Sequence, residues 1–153
     1  MTTIFELAKA FLAIESMTHK KLQKLCYYGK VWYLALYDEN LIAEPFEAWV
    51  HGPVNRSLYE KYKQFGRDVI TELVSEIDIP ADLLGYVKQV YDAYGHMDGD
   101  DLEIITHREK PWIEARVGKK PWESCDTIIS EKTMKSFYKK EYARECAERQ
   151  IAV

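Results

Sequence analysis

Residues 25–37, LCYYGKVWYLALY, carry one charged side chain, Lys30, and are otherwise apolar or aromatic on every helical face. A helix that is hydrophobic all round has to be buried, so this stretch predicts the central helix of a packed core. A bilayer span would need about 20 consecutive apolar residues. Here the run is bounded by Lys20, Lys21 and Lys24 before it and by Asp38 and Glu39 after it, which argues against membrane insertion.

Working outward, Thr18 can cap this helix, and Thr3 with Glu6 has capping-box spacing ahead of Ile4, Leu7, Ala8, Phe11 and Leu12, a helical repeat. After the turn at 38–40, LIA (41–43) and FEAWV (46–50) read as two short extended pieces, a small hairpin or ribbon that Gly52-Pro53 should stop. Asn55 or Ser57 can cap a helix carrying Leu58, Tyr59, Tyr62 and Phe65 and ending at Gly66. Pro80 opens another, with Leu83, Leu84, Val87, Val90, Tyr91 and Tyr94 in register up to Gly95. Asp98 to Asp101 supply N-cap chemistry for a short helix, Lys110-Pro111 marks its end or a sharp turn, a helical turn follows around 112–117, and Ser130 caps a last helix striped by Met134, Phe137, Tyr138 and Tyr142. The expected fold is mainly α: residues 1–153 as a single compact helical domain of six to seven helices with a minor β-hairpin-like element.

Composition fits that reading and narrows the function. The chain is 47% apolar and 13% aromatic, enough for one core without disulfides or a structural metal. Cys26, Cys125 and Cys146 are widely spaced with no signal peptide ahead of them, so reduced thiols and a cytoplasmic location are expected. Net charge is −4, unevenly spread: +2 over residues 1–67, −9 over 68–109 and +3 over 110–153. An acidic protein lacks the global field of a nucleic-acid coat. Lys20, Lys21 and Lys24 could touch phosphate but read first as the wet rim of the central helix. The acidic middle is either a solvated face or a surface for a basic partner.

No nucleophile elbow, Walker loop, HExxH or CxxC is present, so no catalytic residue is assigned. His19, His51, His96 and His107 are spaced too irregularly for two imidazoles to share a helical face, and no metal or cofactor is expected. The acids at 98–103 lack the pattern of a calcium loop and read as helix-capping residues. Cys26 reads as a small buried hydrophobe and Cys125 as the more exposed thiol. What stands out is AWVHGPVNRSLY (48–59), a buried-type aromatic, a Gly-Pro turn and a helix start bearing Asn55 and Arg56. A second such stretch is THREKPW (106–112), and there are 11 Tyr in all, a residue enriched at protein interfaces.

The order KLQKLCYYGKVWYLAL (21–36), FEAWVHGPVNRSLYEKYKQFG (46–66) and LEIITHREKPWIEA (102–115) closely resembles the Panacea domain of SocA-like antitoxins and phage-associated proteins. The most specific piece is Ala48, Trp49, Gly52, Pro53 and Val54, followed by His107, Pro111 and Trp112. Tyr28 and Tyr59 lie in the same matching stretches and are expected to be structural. The resemblance implies a small, mostly helical cytosolic protein that neutralises a toxin encoded beside it by direct binding. SocA-type relatives act instead as adaptors that deliver the toxin to an ATP-dependent protease. Some relatives carry an appended helix-turn-helix domain; none is read here, so direct control of its own operon is not expected. The residues expected to meet the partner are Trp49, His51, Asn55, Arg56, Asp98, Asp100 and Asp101. Two rivals remain: a phosphate-contacting nucleic-acid regulator using Lys20, Lys21, Lys24 and the last helix, and a small hydrolase or transferase using His51, Arg56 or His107.

Overall fold

The computed structural model describes residues 1–151, the side chains of 150 and 151 excepted. The elements run α1 (Ile4–Ile14), α2 (His19–Tyr37), β1 (Glu47–Trp49), β2 (Gly52–Val54), α3 (Arg56–Tyr62), α4 (Ala81–Tyr94), α5 (Gly99–Thr106), α6 (Lys110–Ala115) and α7 (Glu131–Ile151), with single 3-10 turns at Lys63–Phe65 and Glu76–Asp78. The fold is mainly α, as its periodicities predict. Helix α2 is the axis: α1, α4, α5, α7 and β2 all pack on it, and every residue from Leu22 to Val31 is buried. Each large apolar side chain so buried contributes about 1.5–3 kcal/mol.

The caps form where short polar side chains precede apolar repeats. Thr3 accepts from the Glu6 N–H, Thr18 from Lys21, Asn55 from Leu58, and Ser130 from Thr133. Asp98 and Asp101 form a reciprocal capping box at the start of α5. Pro111 lies in the first turn of α6 and so helps open that helix, where a missing N–H costs nothing.

Aromatic residues fill the space between α2, α4 and α7. Tyr28 stacks on Tyr94 with ring centres 4.1 Å apart, and Tyr27, Phe46 and Tyr138 meet edge to face. The α7 stripe runs out before its end: Met134 and Tyr138 are buried and Tyr142 is exposed.

Three expectations need correction. The hairpin pairs Glu47–Trp49 with Gly52–Val54, Ala48 opposite Pro53, so Gly52-Pro53 is the second strand rather than a stop, and residues 41–43 form no strand. Proline is tolerated because Ala48 directs its backbone groups outward: its N–H donates to Thr127 O (2.9 Å) and its carbonyl accepts from Arg116 Nη1 (2.9 Å). No bond from residue 53 is needed, and Pro is permitted in an edge strand on those terms. Second, Lys24 is no wet rim but 1% exposed, because β2 and α5 close over it. Third, Cys125 is buried, its thiol 3.8 Å from Ala115 O.

Candidate functional site

The two motifs singled out in the sequence build one structure. Trp112 Nε1 donates to Trp49 O (2.9 Å), and Arg116 clamps Ala48 O together with the carbonyls of Lys120 and Glu123. His107 stacks flat on the Trp112 ring at 3.9 Å, with Arg116 over the same ring. A buried, multiply bonded guanidinium and a stacked indole hold the turn far more firmly than its three-residue strands could, since a lone hairpin is marginal in water.

That turn projects between two clefts. One, of about 560 Å³, is bounded by Trp49, Val54 and Arg56 on the hairpin side and by Lys119 and residues 124–127 on the other. Arg56 lies over the Trp49 ring (5.2 Å) and pairs with Glu47 (2.8 Å). The loop forming the far wall also carries Trp122, which is 72% exposed. The second cleft, of about 880 Å³, has Trp49 and Tyr59 on one wall, Asp98 to Asp100 and Glu103 on another, and Lys24 in its floor. His51 stands on the ridge between the two clefts, lining both.

The second cleft is electrostatically organised. Lys20 reaches both Asp100 and Glu103 at 2.6 Å, and His51 Nδ1 lies 3.1 Å from Glu103. Burial pushes the Glu103 carboxyl up, but hydrogen bonds from Lys20 and His51 outweigh it and hold it below the usual carboxylate range. Burial, reinforced by the charge of Lys20, drives the Lys24 ammonium down to about 7. Burial likewise lowers His19 and His107.

Of the seven residues expected at a partner surface, the structure gathers Trp49, His51 and Arg56 around the hairpin tip. Asp100 is exposed and paired with Lys20; Asp98 and Asp101 are exposed but bonded to each other's backbone. Asn55 is the exception. It is 3% exposed, and its side chain caps α3 and donates to Pro45 O while Gln23 binds both its backbone groups. It holds the hairpin to α2 and is almost wholly shielded from solvent. Sequence reasoning missed Glu103 and Trp122, and it set Lys24 on a solvated rim where the structure buries it. A lone exposed indole in the GKKPWES stretch (118–124) was the one legible signal among them.

Among the described residues, no helix is long and apolar enough to cross a membrane, and no group of three or more His, Cys, Asp or Glu side chains is disposed to hold a metal ion. No curated protein matches the chain, and no solved structure does. Residues 22–113 match the family described as antitoxin SocA-like, Panacea domain. That span runs from the buried start of α2 through the hairpin to α6, and so contains both motifs that interlock at Trp49 and Trp112. The chain belongs to the SocA-like antitoxin, Panacea-domain family.

Proposed function

We propose that this protein is an antitoxin that neutralises a cognate protein toxin, encoded nearby, by direct binding, and that the hairpin tip with its flanking clefts is the binding face. It works by covering another macromolecule and not by making or breaking bonds. The family match ties the chain to toxin–antitoxin biology, and the observation that supports this face is the rigid ridge at Trp49 to His51 flanked by a loop presenting Trp122 to solvent. A bulky aromatic held in water beside a concave surface has the makings of an interface anchor. A stable interface needs about 800 Å² from each partner, about a tenth of the 8639 Å² this chain exposes.

The acidic surface at Asp98, Asp100 and Asp101 is a weaker anchor, because its charges are already paired or engaged in capping. Its contribution would be to association rate rather than to lifetime.

The test is to express the neighbouring reading frame with and without this protein. Growth arrest relieved by the wild type, and relieved less by Trp122→Ala, supports the reading. A harmless neighbour, or rescue lost in the His51→Ala, His107→Ala double variant while the complex still forms, would favour a catalytic role instead.

A further inference from the structure

The fold holds two fully buried lysines, and they are treated differently. Lys30 Nζ donates to Glu44 O (2.7 Å) and pairs with the Glu131 carboxylate (3.0 Å). Among the described residues, Lys24 Nζ has one carbonyl, Pro53 O at 3.2 Å, and no carboxylate within ion-pair distance. An ammonium has three donors, and a buried charge is normally paired because stripping its water costs several kcal/mol. Lys24 is thus a buried amine whose charged form has no counter-ion, and it lies in the floor of the second cleft. Beside it in the same cleft is His19, whose Nδ1 is buried without a hydrogen-bond partner. The cleft opens where the starts of α2 (Thr18 to Lys20) and α5 (Asp98 to Asp100) converge, so the positive ends of two helix dipoles point toward it. Gly52 is required by the same arrangement: its φ is +109°, and a Cβ there would sit 2.6 Å from Lys24 Cε.

We infer that this cleft is a binding site for a compact oxyanion, a phosphate or carboxylate group of a ligand, which supplies the missing partner of the Lys24 ammonium. Trp49 and Tyr59 give the remaining space an aromatic wall, suited to a ligand whose anionic group is joined to an apolar or planar body. This goes beyond the antitoxin reading and needs no toxin to test.

Anion binding should be linked to protonation of the amine. The groups facing it are His19 and Lys20 on its own helix, Arg67 after α3, Asp98, Asp100 and Glu103 at the start and along α5, His51 from the hairpin turn, and His107 at the end of α5. Lys20 is held up by its carboxylates, and those carboxylates are held down. Lys24, pushed down to about 7, gives up its charge around neutral pH, and above that the affinity for a non-titrating anion that needs the ammonium should fall about tenfold for each pH unit, the step from 8 to 9 included.

The experiment titrates the full chain with sulfate, phosphate and acetate, against chloride at equal ionic strength, following lysine Nζ signals by NMR at pH 7, 8 and 9. Saturable shifts that weaken about tenfold from pH 8 to 9, and disappear in Lys24→Met, are expected. Sulfate and phosphate acting alone assign the site to phosphate-type groups; acetate acting assigns it to carboxylates. Shifts no larger than chloride gives, or equal affinity in Lys24→Met, overturn the inference. Should that variant fail to fold, the wild type decides: saturating sulfate must raise the Lys24 titration midpoint by at least one pH unit, and an unmoved midpoint overturns it.

Discussion

Replacing Glu109 by glutamine removes a carboxyl that the core grips from two sides. Tyr28 OH donates to Glu109 Oε1 at 2.7 Å and Tyr138 OH lies 2.9 Å from the same oxygen. Burial raises this carboxyl from 4.5 to about 7, with Glu141 adding repulsion and the two tyrosines opposing. Because the folded value lies above the unfolded one, the fold favours the neutral acid. The associated stability is fully present below pH 4.5 and is lost as pH rises through 7. A shift of about 2.5 pH units is worth about 3 kcal/mol at most, or roughly 6–12 °C in a domain of this size. Glutamine offers the same acceptor without a charge to lose. Thermal or urea unfolding of wild type and Glu109→Gln from pH 5 to 9 should therefore show an advantage of the variant that widens from pH 5 to about 7 and stays constant above it. Lys24 acts in the adjoining window with the opposite sign, since its lowered value makes the fold more stable as pH rises from about 7 toward 10.5. It does so in both proteins, so the difference isolates Glu109. Parallel curves from pH 5 to 9 would refute the reasoning.

Three further outcomes are expected. Gly52→Ala should cost about 2 kcal/mol or more, from a strained φ and the clash with Lys24 Cε, and shortening the lysine in a Gly52→Ala, Lys24→Ala double variant should return part of it in urea melts. Asp98→Ala removes one half of a capping box and should cost about 1 kcal/mol by the same measurement. Trp122→Ala, at an exposed position, should change stability by less than about 0.5 kcal/mol while weakening the toxin complex more than tenfold in titration calorimetry.

Local chemistry made the helices legible. Thr3, Thr18, Asn55 and Asp98 cap the helices their sequence context predicts, since a cap is decided within three residues. The hairpin was misread because Pro53 looks like a strand breaker until Ala48 is known to bond outward to Thr127 and Arg116, both distant in sequence. Lys24 was misread for the same reason: near the start of α2 it looks like a solvated rim, and it is the approach of Gly52 and Pro53 on β2, distant in sequence, that buries it. Of the site, Trp49, His51 and Arg56 were visible in the GPV stretch. The way His107 and Trp112 brace them was not, because the stack and the Trp112 to Trp49 bond span tertiary distance.

The central claim, that this protein acts by covering its partner with the hairpin-tip face, is tested most directly by the affinity of the purified protein for the product of the neighbouring reading frame. The wild type should form a complex with nanomolar Kd, Trp122→Ala should weaken it more than tenfold, and Lys88→Ala, which removes an exposed Lys88–Glu76 pair involving α4, should leave it unchanged. No complex with the wild type, or equal affinity across all three proteins, would contradict it.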